Sequence, residues 1–431
     1  MFCFLYDCLL YVLVLFFLPK FWFERVFKGK FKKGIAPYLA FSLPSKQAKK
    51  GPVFLLLAVS VGETKAAASL FTNMKKSYPE ATFYVASRTE TGHDEAKKIL
   101  PKADGHFFIP FDFSWSVKRF LRFLEPDVVL VVESDFWYNL FRLSKKRGAQ
   151  LFLVSGKLSL RSYRRFCKVS FFTKRLFSFF DLICAQNLSS KDRFIHLGVD
   201  PSKVMVAGNL KFDTPFKRED QTSLKEKLGI VKGDWVLVVA STHHLEEEAI
   251  LQAIKPLWSV MPRLKILLVP RHPERFLEVE QCLDKQKIPS IVYSRIDVKT
   301  GLEKVILIDA MGILPSLYQI ANLAVLGGSF LSSLRGHNIF ERVQAGLPVL
   351  FGPYMSDQKE FVESVLSSGS GRQVGLRDLA STIKSLFEVP SLIAEMKGNG
   401  EKLLIEAQGV SSKTWDPIFQ YIKNKKEKFE F

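Results

Sequence analysis

The sequence predicts two doubly wound α/β domains, each a parallel sheet with helices on both faces, behind an N-terminal hydrophobic helix. Three observations predict it. Short continuous apolar runs alternate with helix-like stretches along most of the chain. The 431 residues exceed what a single core ordinarily serves. The two halves also open alike: Ala58-Val-Ser-Val-Gly-Glu63 and Val239-Ala-Ser-Thr-His-His-Leu-Glu246 each lead from a strand into a helix.

Taken in order, Phe2–Leu18 is apolar but for Asp7, and as a helix it reaches about 25 Å, near the lower limit for a ~30 Å hydrocarbon core. It has neither a basic leader nor a small-residue cleavage site, so residues 1–20 read as a membrane anchor, spanning or only embedded. The basic segment 21–50 follows with Arg25, Lys28, Lys30, Lys32 and Lys33, which keeps the remaining chain on the cytoplasmic side. A first domain over 51–214 takes its strands from Val53–Val59, Thr82–Ala86, Asp127–Val132, Gln150–Val154, Asp181–Ala185 and Lys203–Ala207, with helices such as Thr64–Lys76 and Ser189–Leu197 between them. A polar stretch containing Pro215 leads into a second domain over 215–431, with strands Trp235–Ala240, Lys265–Val269, Val305–Ile308, Asn322–Leu326 and Leu347–Phe351.

Charge divides unequally between the halves. Residues 1–215 carry 34 Lys and Arg against 17 Asp and Glu, and the rest carries 28 against 26. Between Phe141 and Phe180 stand eleven basic residues and no acid. The first half therefore expects an anionic partner, and the adjoining anchor points to a membrane surface. Signatures of RNA reading are absent, so nucleic acid is not expected. Five scattered cysteines without a CxxC pair suit a reducing compartment and no disulfide framework. No GxxxxGK[ST] loop and no strand-placed GxGxxG occurs, which removes support for nucleotide hydrolysis and dinucleotide redox chemistry.

Ligands of open α/β sheets bind beyond the carboxyl ends of the strands, and several polar groups fall there. Glu63 suits a general base on a hydroxyl, or equally an acid favouring its helix N-terminus. Glu133 and Asp135 end a run of valines and leucine, as chemistry or as a strand cap. Lys211 is the cation to meet a carboxylate or phosphate, with Asp213 able to hold it, or it is simply solvated. Pro270 and Pro273 stiffen a loop in which Arg271 offers a fork to phosphate and His272 is ligand or structure. Asn338 and Glu341 read as a capping box, or as a phosphate and ribose site on the same geometry. His243, His244 and Glu246 lack the spacing of a metal site.

Together these motifs resemble the 3-deoxy-D-manno-octulosonic acid (Kdo) transferase family of lipopolysaccharide synthesis. The resemblance rests on Ser60-Val-Gly-Glu63, Glu133-Ser-Asp-Phe-Trp137, Lys157-Leu-Ser-Leu-Arg-Ser162, Gly208-Asn-Leu-Lys-Phe-Asp213, Ala240-Ser-Thr-His243, Val269-Pro-Arg-His-Pro-Glu-Arg-Phe276, Met311-Gly312 and His337-Asn-Ile-Phe-Glu341, in the family's order. It implies a GT-B glycosyltransferase with two domains facing a central cleft, at the cytoplasmic face of the bacterial inner membrane. It also implies inverting transfer of Kdo from CMP-Kdo to a lipid A precursor, with no cofactor and no metal. By the same resemblance Glu63 is the base, Glu133 and Lys211 stabilise the transition state, and Pro270, Arg271, Met311, Gly312, Ile313, Asn338, Ile339, Phe340 and Glu341 contact CMP. Ile313, Arg335, Tyr138 and Gly156 depart from the family pattern. A membrane-associated GT-B enzyme using a UDP-sugar is the alternative.

Overall fold

The computed structural model describes residues 2–27, 34–43, 51–214, 216, 218 and 220–427. Lys28, Lys30, Lys32, Lys33 and Pro215 lie outside the described residues. The chain divides into two compact units, residues 1–214 with 407–431, and 215–406.

The sheet of the first unit holds β1 (Val53–Leu57), β2 (Thr82–Ser87), β3 (Gly105–Phe108), β4 (Val128–Val132), β5 (Gln150–Gly156), β6 (Leu182–Ala185) and β7 (Val204–Val206). Its spatial order is β3-β2-β1-β4-β5-β6-β7, every pairing parallel. Successive residues of β1 feed opposite cores. Leu55 and Leu57 join Val129, Val131, Leu151 and Leu153 on one face, while Phe54 and Leu56 join Val128, Leu130, Phe152 and Val154 on the other. That alternation is why the strands read as unbroken apolar runs. Successive strands are added in one direction from β1 to β3 and in the other from β4 to β7, which makes the loops after β1 and β4 the topological switch point.

The second unit repeats the design with β8 (Trp235–Thr242), β9 (Leu264–Pro270), β10 (Ser290–Val292), β11 (Val305–Leu307), β12 (Leu323–Leu326), β13 (Val349–Phe351) and β14 (Gly371–Gln373). The order β10-β11-β9-β8-β12-β13-β14 is again all parallel, with its switch between β8 and β12.

Two expectations change. The second domain does not run to the terminus: the last helix, Val410–Glu427, packs on the first unit. Val410, Trp415, Ile418 and Ile422 cover Phe54, Phe83 and Phe152 there, an apolar face that would otherwise stand open. The opening helix runs Phe2–Phe27, but among the described residues no helix is long and apolar enough to cross a membrane. Its charge also has a local purpose. Asp7 accepts the Asn139 amide at 2.7 Å and the Ser114 N–H at 3.2 Å, while Tyr6 donates to Asp112 at 2.9 Å and packs on Tyr138. Asp7 thus fastens the first turns of this helix to the first unit rather than merely interrupting an apolar run.

Candidate active site

In the first unit the loop after β1 turns through Ser60, which caps the helix Val61–Ser77. The Glu63 N–H donates to Ser60 Oγ at 3.4 Å, and the Glu63 carboxylate accepts the Val59 N–H at 2.6 Å and the Ser60 hydroxyl at 3.3 Å. This reciprocal cap orients the carboxylate of a residue that is only 8% exposed. Burial, reinforced by the nearby charges of Asp135 and Glu133, pushes its pKa up to about 7 against the opposing pull of the Val59 N–H.

Glu133, directly after β4, has φ +65°, left-handed backbone that costs a non-glycine residue about 1–3 kcal/mol. Ser155 in β5 and Ser241 in β8 share that conformation, so backbone strain collects at the carboxyl ends of central strands. Ser155 uses it to aim its hydroxyl at the Leu210 N–H, 3.3 Å away, and at the Gln186 amide, 3.1 Å away. That contact fixes the turn Leu210–Asp213, in which Asn209 caps the Lys211 N–H at 3.0 Å. Lys211 Nζ then meets Glu133 at 2.6 Å. The expectation that Asp213 holds Lys211 is replaced: the Asp213 carboxylate accepts the N–H groups of Gly409 and Ser411 at 2.8 and 2.6 Å, which starts the final helix. Glu63, Glu133, Asp135 and Lys211 therefore gather at one switch point.

In the second unit the loops after β8 and β12 are joined by a carboxylate. Glu246, fully buried, accepts the N–H groups of Gly328, Ser329 and Phe330 at 2.6, 3.0 and 2.9 Å and that of His243 at 3.3 Å. Gly327 admits no side chain, because a Cβ would fall 2.7 Å from Thr242 backbone, and Gly328 adopts φ +73° against the His337 ring. The donors of this glycine-rich turn are thus already used by the protein's own carboxylate. Above them His243 and His337 share a hydrogen bond between their Nε2 atoms at 2.6 Å, with His272 edge-on to His243. Burial first, then His243, Arg271, Arg342 and His272, hold the His337 pKa down to about 4.

Arg271 is exposed at the end of β9, its N–H bonded to Thr242, and Pro270 is buried beside it. Asn338 accepts the Phe340 N–H at 3.0 Å and its amide donates to the Glu341 carboxylate at 3.1 Å, but the helix Phe340–Gln344 has Ile339 at its cap with no side-chain capping bond, so the expected capping box gives way to this tighter local turn. Arg342, buried, bonds the Asn338 carbonyl and the Ser241 hydroxyl. Ile339 and Phe340 point their side chains into the core, which leaves only their backbone for a ligand. Met311 is exposed after β11, with Gly312 and Ile313 leading into the helix Leu314–Ile320. His244 turns to Glu278 at 2.5 Å, away from His243, and among the described residues no group of His, Cys, Asp and Glu is arranged to hold a metal.

A family model described as 3-Deoxy-D-manno-octulosonic-acid transferase (kdotransferase) matches residues 34–214. A 3-deoxy-D-manno-octulosonic acid transferase of Chlamydophila psittaci is 33% identical over 97% of this chain and 96% of its own length. The chain belongs to the Kdo transferase family. The enzyme of the same name from Haemophilus influenzae is 30% identical over 85% of this chain and 86% of its own. A putative UDP-N-acetylglucosamine 2-epimerase from Listeria monocytogenes matches the fold at TM-score 0.61 with 16% identity, covering 88% of this chain and 98% of that one. This Kdo transferase is accordingly a glycosyltransferase with the two parallel-sheet domains of the GT-B class. Sequence reading of it missed Ser155 and the carboxylate bridge of Glu246. Ser155 stands at a strand end, where position alone was a signal.

Proposed function

We propose that the enzyme transfers Kdo from CMP-Kdo to a lipid A precursor at the cytoplasmic face of the bacterial inner membrane, inverting the anomeric carbon without a metal. The observation that carries this reading is the assembly of Glu63, Glu133 and Lys211 at the switch point of the basic first domain. Glu63 takes the proton of the acceptor hydroxyl as its oxygen attacks the anomeric carbon, and CMP leaves with the electrons of the broken C–O bond. A carboxyl that titrates near 7 suits this duty, being partly ionised near neutral pH and still basic enough to accept a proton. Lys211, fixed by Glu133, offers positive charge where the transition state spreads negative charge.

In the second domain, Arg271 and the backbone around Gly312 and Asn338–Glu341 are the groups to hold CMP. Membrane attachment is supported by the first helix, whose Phe4, Leu9, Val12 and Phe16 are exposed. It is further supported by the run between Leu160 and Arg175, where Leu160, Val169 and Phe171 are exposed among Arg161, Arg164, Arg165 and Lys168.

Membranes containing the enzyme, given CMP-Kdo and a lipid A precursor, should yield acceptor heavier by one or more Kdo residues on mass spectrometry. CMP should inhibit and UDP should not. Unchanged acceptor, or inhibition by UDP alone, overturns the reading.

A further inference from the structure

Arg88 follows β2 directly, at the carboxyl edge of the first sheet. Its N–H donates to the Val59 carbonyl at 3.2 Å, while the Val59 N–H goes to Glu63, so Arg88 and Glu63 attach to the same residue from two sides. The guanidinium lies 4.5 Å from the ring centre of Phe111, 5.0 Å from Trp137 and 5.8 Å from Tyr38. Aromatic faces hold a cation but do not accept its N–H groups in plane. Arg88 Nη1 is buried with no acceptor, and so is the indole Nε1 of Trp137. Two such donors on touching side chains are unusual, since buried polar groups are nearly always paired.

The acids that feel Arg88 do not satisfy it. Asp112 commits its oxygens to the Asn139 and Leu140 N–H groups and the Tyr6 hydroxyl. Asp135 acts on Arg88 through space, and the charge of Glu133 beside it is met by Lys211. From the cage an aromatic run leads outward. Phe111 is 6.4 Å from Phe113, which stacks on Trp115 at 6.1 Å, and Trp115 meets Phe41 at 5.6 Å. The last two are exposed. A cation at the inner end and apolar surface at the outer end fit an amphiphile with an acidic head.

We propose that Arg88 and the Trp137 N–H form an oxyanion subsite for the acidic head of the lipid-borne acceptor, whose apolar part lies along the exposed Trp115 and Phe41. The inference rests on the acceptor reading above and adds the group that recognises it. The oxyanion is either a phosphate of the lipid A precursor or the carboxylate of a Kdo already transferred.

Steady-state transfer by full-length wild type, Arg88→Gln, Arg88→Lys and Trp137→Phe in membranes tests it. The acceptors are the phosphorylated precursor, the same with its phosphates removed, and the precursor already bearing one Kdo. Arg88→Gln should raise the KM for acceptor about tenfold or more, with the KM for CMP-Kdo within about twofold of wild type. Arg88→Lys should recover part of the loss. Trp137→Phe, which keeps an aromatic face beside Arg88 but removes the indole N–H together with the five-membered ring that carries it, should move acceptor KM the same way and carries the test if Arg88→Gln does not fold. A phosphate ligand predicts that the variants' defect vanishes on the dephosphorylated acceptor; a carboxylate ligand predicts a defect confined to the Kdo-bearing acceptor. Unchanged acceptor KM in the folded variants, or a donor KM that rises in step, overturns the subsite while leaving the transferase reading intact. Failure of the wild type to transfer at all overturns that reading instead.

Discussion

Glu63 both caps its helix and stands as the proposed base, and its titration separates the two duties. A glutamine in its place still accepts the Val59 N–H, so the cap survives while the proton acceptor is lost. Glu63→Gln should therefore lower the transfer rate about 10²–10⁴-fold with the affinity for CMP unchanged, as read by kinetics beside calorimetric titration with CMP. With the folded carboxyl near pH 7, kcat/KM should rise with pH below 7 and level above it; a flat profile between pH 5.5 and 8 removes Glu63 from the role. Stability moves the other way. The unfolded chain releases this proton near pH 4.5 and the folded one near 7, so the Glu63 contribution to stability falls as pH rises across that window. Glu63→Gln should accordingly gain in melting temperature relative to wild type at pH 8 and not at pH 4.

At the scale of elements, one buried carboxylate ties two strand-end loops of the second domain together. Glu246→Ala leaves four backbone N–H groups without their acceptor and should cost roughly 2–4 kcal/mol. The melting transition of that domain should then fall by roughly 5–15 °C, and CMP affinity should drop with it. Glu246→Gln, which still accepts, should lose less; equal losses for the two variants contradict the account. Strand-end motifs were legible in the sequence because central parallel strands are apolar on both faces, so a polar residue at their ends stands out. β3, β10 and β14 were not legible. Each is an outermost strand of three or four residues, covered on one side only, and Gly105-His-Phe-Phe108 or Gly371-Arg-Gln373 carries no apolar run. The Arg88 cage was equally hidden, because Tyr38, Phe111 and Trp137 come from three segments that only the fold brings together. The partner of Asp213 was hidden for the same reason, lying almost two hundred residues away.

For the whole molecule, the chain closes on the domain where it began. Asp213 stands next to the boundary at Thr214, and by capping the helix Val410–Glu427 it binds both crossings of that boundary to the first unit. The final helix then contributes Trp415, buried, whose indole N–H donates to Ser77 at 2.8 Å and whose ring meets Phe54 and Tyr78. The proposed catalytic edge thus depends on residues at the far end of the sequence, because the helix that carries Glu63 is the one on which this last helix packs. Trp415→Ala should destabilise the first domain by about 3–5 kcal/mol through the cavity it leaves and the Ser77 hydroxyl it strips of its donor. Hydrogen exchange on the full-length enzyme reads where that loss falls. Peptides spanning β1, β2 and β4 should exchange faster, those spanning β8, β9 and β12 should be unchanged, and CMP affinity should hold while transfer declines. Faster exchange in the second sheet, with the first sheet protected, would assign the helix to the other domain and break the link between the chain's end and Glu63.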